Sequence, residues 1–277
     1  MIPRQPSRTA FAAASYRAAH QLEGAKLFTD PLAVAIVGED AAREGLEDAA
    51  RGGMRLFVSA RSRFAEEMLA GSLSRGVTQL VVLGAGLDTY AHRGVERTRL
   101  SIFEVDHPAT QMWKRERLAA IAVTPGDNVR YAPVDFENET LGDGLRAAGF
   151  DAGARTFFTW LGVTPYLTRP AIEATLRFIA ANAGGGEVVC DYGAPVESVP
   201  EEFRAAYLER AARVAALGEP FLSWFTPEAM RAELMAAGFA RVNDVTLADI
   251  VARYWPDARP LRSPIARGHV VHAMTAG

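Results

Sequence analysis

The stretch that most limits how this chain can fold is "LVVLGAGLDTYAHR", residues 80–93. Four consecutive apolar residues, Leu80, Val81, Val82 and Leu83, run straight into Gly84-Ala85-Gly86. A short, valine-rich apolar run without alternation suits a strand covered on both faces. Two glycines at its end permit a tight turn and a close approach of backbone to a ligand. The stretch therefore predicts a buried parallel strand that feeds a ligand-binding turn, and with it an open α/β sheet.

The remainder of the chain keeps that pattern. Further strand candidates lie at residues 100–106, 129–135, 156–161, 187–192, 242–247 and 269–275, after the first at 79–84. Between them stand helix signals. His107-Pro108 opens one helix and Thr168 with Pro170 another, whose Ile172, Leu176 and Ile179 recur at helical spacing. Thr226-Pro227-Glu228 opens a third, closed by Gly238. The alternation predicts a parallel sheet with helices on both faces, and the last two strands, with no long helix between them, predict an antiparallel strand at the edge. The first 75 residues are alanine-rich and helical, with one segment starting at Asp30-Pro31 and a longer helix around residues 53–70. No linker rich in Pro, Gly or Ser follows, so residues 1–75 read as a helical cap on a core of 76–277 within a single domain.

Composition narrows the function. A net charge of -3 argues against capture of nucleic acid or of an anionic membrane surface. No segment reaches the roughly 18 apolar residues of a membrane span. The first 20 residues carry Arg4, Arg8 and Arg17 without an acid, yet lack the apolar centre of a targeting signal, so the expected location is the cytoplasm. The single cysteine, Cys190, lies in the apolar run "GEVVCDY" and reads as a buried filler. No spacing of His, Cys, Asp or Glu suggests a metal site.

The glycine turn alone does not choose its ligand. A dinucleotide fingerprint needs a third glycine where this chain has Thr89. Asp88, at the expected helix start, would repel a pyrophosphate and suits a cationic ligand without phosphate, such as S-adenosylmethionine. The alternative reading makes it a helix cap. Asp106 ends the next strand, where an acid accepts hydrogen bonds from ribose hydroxyls of either cofactor class. Asp135-Phe136 ends the third, placed to hold and pack an adenine. Arg61 falls in line with Phe57, Phe64 and Met68 on one helix face. A guanidinium on an apolar stripe calls for an anion, either the methionine carboxylate of the cofactor or a protein acid such as Glu104.

Together "VVLGAGLDTYAHR", "FEVDHPATQMWKRERL", "YAPVDFE" and "WLGVTPYLT" resemble the leucine carboxyl methyltransferase family, and in particular its bacterial branch, which includes carboxyl O-methyltransferases of polyketide biosynthesis. The resemblance runs from "LFTDPLA" to "FTPEAMRAELMAAGF" and "ARYW". It implies an α/β fold with a Rossmann-like seven-stranded class I methyltransferase sheet, its last strand antiparallel, under an N-terminal helical cap. It also implies S-adenosyl-L-methionine as cofactor. Arg61 would meet the methionine carboxylate, Gly84, Ala85 and Gly86 would line the methionine with Asp88 nearby, Asp106 would hold the ribose, and Asp135 with Phe136 the adenine. The phosphatase-directed members have a glutamate where this chain has Leu161, so Leu161 would line the cofactor without a charge, and a phosphatase substrate is not expected.

The expected acceptor is a small-molecule carboxylic acid or phenol. A carboxylate needs no base, whereas a phenol benefits from one. His107 is the imidazole nearest the cofactor residues, unless it serves only to open its helix. Tyr166 and Tyr192 sit at strand ends on the ligand edge. Phe221, Trp224 and Phe225 form an aromatic patch that either covers a substrate or belongs to the core. Tyr16 and Arg17 are candidates for a lid, with Arg17 steering an acidic acceptor. Two other readings stay open, an NAD(P)-dependent oxidoreductase and a catalytically inactive cofactor-binding regulator.

Overall fold

The apolar runs become seven strands in a computed structural model that describes residues 7–47, 52–135, 139–257 and 268–276. They are β1 (Gln79–Leu83), β2 (Ser101–Asp106), β3 (Val129–Pro133), β4 (Thr156–Trp160), β5 (Gly186–Tyr192), β6 (Phe239–Thr246) and β7 (His269–Thr275). They form one sheet in the order β3-β2-β1-β4-β5-β7-β6. Strands β1 to β5 are parallel, and β7 is antiparallel to both of its neighbours. The antiparallel strand is the last one, as expected, but it lies inside the sheet and leaves β6 at the edge. The chain reaches β6 through a helical crossover, and β7, which follows α11, fills the gap between β6 and β5.

Four helices precede the sheet: α1 (Arg8–Leu22), α2 (Ala33–Val37), α3 (Glu39–Glu47) and α4 (Gly52–Leu73). Those that follow β1 are α5 (Tyr90–Arg93), α6 (Pro108–Ala120), α7 (Leu141–Ala147), α8 (Arg169–Ala180), α9 (Glu201–Ala216), α10 (Pro227–Ala237) and α11 (Leu247–Tyr254). Alternate side chains of each strand serve opposite layers, as the two-residue period requires. Leu80, Val82, Ile102 and Phe157 pack with Phe57, Phe64 and Leu69 of α4 and Ile250 of α11. Val81, Leu83, Phe103 and Phe158 pack with Leu145 of α7, Ile172 and Leu176 of α8, and Leu234 of α10. A third, smaller cluster joins Ala14, Ala18, Ala33 and Ile36 of the first helices to Leu118 and Leu87. Its alanines allow the N-terminal helices to lie close to the loop after β1.

Several boundaries differ from the sequence reading. Strand β6 begins at Phe239, and Leu247 opens α11 instead of ending the strand, because Thr246 and Asp249 form a reciprocal capping box there. Strand β3 stops at Pro133, which leaves Asp135 in the following loop. Cys190 is buried, and burial pushes its thiol well up, as its filler reading requires. Among the described residues no helix is long and apolar enough to cross a membrane.

At the sheet end remote from the glycine turn, Glu187, the second residue of β5, has a fully buried side chain. Ser72 Oγ and Arg75 Nη2 each donate to it at 2.6 Å, and His272 Nε2 lies 3.2 Å away. Burial pushes its carboxyl up, but the hydrogen bonds from His272, Arg75 and Ser72 outweigh burial and hold it down at about 2. A depressed carboxyl stabilises the fold above its unfolded titration and loses that contribution as pH falls toward its folded one. The contribution is about 3 kcal/mol, fully present above roughly pH 4.5 and lost toward pH 2. Urea unfolding across that window should therefore show a drop that is smaller by about that amount in Glu187→Gln; an equal drop in both proteins would remove the assignment.

Candidate functional site

The strand ends on the other side of the sheet converge on the glycine turn. Gly84 and Gly86 have φ of 62° and 48°, a region that side-chain-bearing residues rarely adopt. A Cβ on Gly84 would also lie 2.4 Å from Val163. The Asp106 carboxylate, at the end of β2, accepts from the Gly86 N–H through Oδ2 and from the His107 N–H through Oδ1 at 2.7 Å. Burial pushes its pKa up, and these two N–H groups partly offset that. One carboxylate thus locks the turn after β1 onto the start of α6, and it keeps lone pairs for a ligand.

Asp88 lies just beyond the turn. Its Oδ1 accepts from the Tyr90 N–H at 2.7 Å, which caps the short α5. Burial raises its pKa, but Arg17, Arg93 and Lys114 outweigh burial and leave it lowered. Glu104 is taken by Lys114 at 2.7 Å, with both side chains buried. It is therefore not the partner of Arg61.

Arg61 binds Asp191 instead. Its Nη1 donates to Asp191 Oδ2 at 2.8 Å, while Oδ1 accepts from the Gly162 N–H at 2.6 Å. The buried Nε of Arg61 has no hydrogen-bond partner. Of the neighbouring arginines, Arg55 donates to the Gly45 carbonyl and to Glu23, and Arg63 lies against the Tyr254 ring. Arg61 is the one that reaches the site.

A cavity of about 1290 Å³ opens over these strand ends, lined by every described residue that the sequence assigned to the site except Asp135. Leu161 and Tyr166, following β4, belong to it. Asp135 is half-buried in the loop after β3, where its N–H donates to Glu139 at 2.9 Å. Phe136 lies outside the described residues. Arg17 is not a solvent-exposed steering group: it is buried, donates to the Leu87 carbonyl, and lies 3.6 Å from Asp30. It ties α1 to the glycine loop. His107 is exposed, and its Nδ1 accepts from the Ala109 N–H at 3.2 Å. That cap places the ring proton on Nε2, so the neutral ring has no free lone pair for a substrate.

The aromatic patch divides. Phe225 is core, edge-on to Tyr192, while Trp224 and Phe221 line the cavity and Phe221 packs 5.4 Å from Tyr166. Tyr192 does both, lining the cavity and donating its hydroxyl to Asp244. Three further features escape the sequence reading. His269 lines the cavity with Nδ1 2.8 Å from Asp244 Oδ1. Ser7 and Thr9, at the start of α1, both donate to Glu219, which closes the chain after α9 against α1. Arg210 of α9 also faces the cavity. Alternation within strands could have placed His269 and Asp244 on one face, but only the interior position of β7 makes them neighbours.

The strand order and the glycine turn define the class: a doubly covered α/β sheet whose ligand edge lies at β1, β2, β4 and β5. A solved structure of a "putative methyltransferase" from Thermobifida fusca shares this fold, covering 100% of this chain and 97% of its own at a TM-score of 0.63, with 17% identity. "Putative S-adenosyl-L-methionine-dependent methyltransferase YktD" of Bacillus subtilis is 30% identical over 78% of this chain and 71% of its own. A protein of the same description from Mycolicibacterium paratuberculosis is 35% identical over 57% of this chain, and the match spans about half (52%) of that relative. The leucine carboxyl methyltransferase family model matches residues 10–180, ending before α9. The chain belongs to the leucine carboxyl methyltransferase family.

The Arg61 arrangement depends on a glycine. Gly162 has φ of 75°, and a Cβ there would lie 2.6 Å from Arg61 Nη2. Gly149, at φ 87°, has nothing within 4 Å of such an atom. Both alanine variants incur backbone strain of roughly 1–2 kcal/mol. Gly162→Ala should lose measurably more stability than Gly149→Ala in urea unfolding, because it alone displaces a buried guanidinium; equal losses would show that the ion pair tolerates the shift.

Proposed function

We propose that this chain is an S-adenosylmethionine-dependent O-methyltransferase whose acceptor is a carboxylic acid or phenol of a small molecule. The observation that carries the reading is one continuous cavity, with the glycine turn and Asp106 at one side and the aromatic groups Tyr166, Phe221 and Trp224 at the other. Family membership supports the transfer of a methyl group. The residues fit the cofactor. The orphaned Arg61 Nε is a donor for a carboxylate, and Asp106 retains acceptor capacity for ribose hydroxyls. Asp88 and Leu161 would flank the methionine side; Asp135, in the loop after β3, remains the proposed adenine contact on the resemblance alone.

When bound, S-adenosylmethionine supplies a methyl group on a cationic sulfonium, so the acceptor oxygen forms the new O–C bond as the C–S bond breaks and leaves a neutral thioether. The leaving group is already activated. The protein's part is to align the oxygen, keep water out and neutralise charge. Tyr166 and Phe221 form a wall against which a flat acceptor can lie.

His269 favours the phenol form of this reading. Asp244 accepts from Nδ1 and so fixes the tautomer that leaves Nε2 as the basic nitrogen. With a base of this kind the effect is selective: His269→Ala should slow transfer to phenols by about 100-fold or more and to carboxylates by less than about threefold. A uniform loss for both acceptor types would remove the base role.

The primary test is calorimetric titration with S-adenosylmethionine and with NAD(H), followed by turnover of methyl-labelled cofactor with aromatic acids and phenols. Binding of NAD(H) without a response to S-adenosylmethionine would sink the proposal, and cofactor binding without any turnover would favour an inactive regulator. Asp106→Ala should weaken S-adenosylmethionine by at least about tenfold, or 1.4 kcal/mol. Affinity within about threefold of the parent would show that Asp106 does not hold the ribose.

A further inference from the structure

Among the described residues four arginines line the cavity, and three of them are paired. Arg17 faces Asp30 at 3.6 Å, Arg61 binds Asp191 at 2.8 Å, and Arg213 binds Glu209 at 2.7 Å. Arg210 has no acid within 4 Å and no hydrogen bond among the described residues. Its guanidinium lies 5.4 Å from the Phe221 ring, and the groups acting on it electrostatically are Tyr166, Tyr16, Tyr207 and Arg61. The nearby acids are engaged elsewhere: Glu209 is held by Arg213, and Glu219 by Ser7 and Thr9. A guanidinium against aromatic rings with no counter-ion is an electrostatic vacancy. Its planar fork matches a carboxylate.

The helix that carries it points the same way. Helix α9 has 16 residues and none of them is buried. Tyr207, Arg210 and Val214, at three- and four-residue spacing, all line the cavity. That face looks into the cavity across Phe221 and the Ala194 carbonyl, to which Tyr207 donates.

We propose that Arg210 is the specificity-determining residue of the acceptor site and takes an acidic group of the acceptor, a carboxylate on a flat apolar body lying against Tyr166 and Phe221. The proposal deepens the methyl-transfer reading and rests on it. It divides the cavity's cations between two ligands: Arg61 serves the methionine carboxylate and Arg210 the acceptor.

The test is calorimetric titration of the full chain, loaded with S-adenosylhomocysteine, using 2-naphthoate and its neutral isostere 2-naphthamide. The parent should bind naphthoate at least tenfold more tightly than naphthamide. Arg210→Met should bring the two within threefold, Arg210→Lys should retain part of the preference, and both variants should bind S-adenosylhomocysteine within threefold of the parent. No residue of α9 is fully buried, so these replacements should leave the fold in place, which circular dichroism checks. Equal binding of the two probes by the parent, no naphthoate binding, or a preference that survives in Arg210→Met overturns the proposal. A tenfold loss of S-adenosylhomocysteine in Arg210→Met also overturns it, by moving the arginine to the cofactor. If the parent does not bind S-adenosylhomocysteine, the methyl-transfer reading fails instead, and the naphthoate preference read without it still decides the role of Arg210.

Discussion

The ion pair between Arg61 and Asp191 is the constraint from which the site takes its shape. It joins residues 130 apart in sequence, one on α4 and one near the end of β5. Both side chains are buried, so neither charge can be left without the other at small cost. Asp191 also receives the Gly162 N–H through its side chain and the Thr164 hydroxyl through its main-chain carbonyl. The loop after β4, the end of β5 and the N-terminal cap therefore meet at one carboxylate residue. A charged junction of this kind fixes orientation more tightly than apolar packing, because its partners must match in direction as well as in volume.

A second set of polar ties holds the other side of the cap. Arg17 donates to the Leu87 carbonyl, Thr89 donates to Asp30 at 2.6 Å, and Arg93 lies 3.2 Å from the same carboxylate. The alanine-rich helices supply little apolar bulk here, and buried charge takes its place. Glycine loop, cap and sheet edge consequently form a single framework around the cofactor side.

The sheet was legible because its strands are nearly continuous apolar runs, and a buried parallel strand has no other inexpensive place to go. Gly84, Gly86 and Asp106 were legible for the same reason: they sit at strand ends, where local sequence determines position. What the sequence hid were pairings made through tertiary structure. Arg17 read as a cation available to an acceptor, since nothing local names Leu87 or Asp30 as its partners. His269 and Asp244 lie 25 residues apart on strands whose adjacency follows from the insertion of β7. Arg210 sits on a helix whose inward face, Phe203, Tyr207, Ala211 and Val214, is only half-buried, and its own charge gives no sign of which way it points.

That last property bears on how such a chain can change. Substitutions in a core helix are filtered first by folding, and most are lost to instability before any new activity is sampled. Helix α9 escapes that filter, because it buries no residue and lies beyond the region shared with the family model. Its inward face can exchange one side chain for another while the framework behind it stays intact. The fold thus separates a part that must be kept from a part that can be rewritten, and a new acceptor could be reached by altering a few positions on about two turns of helix.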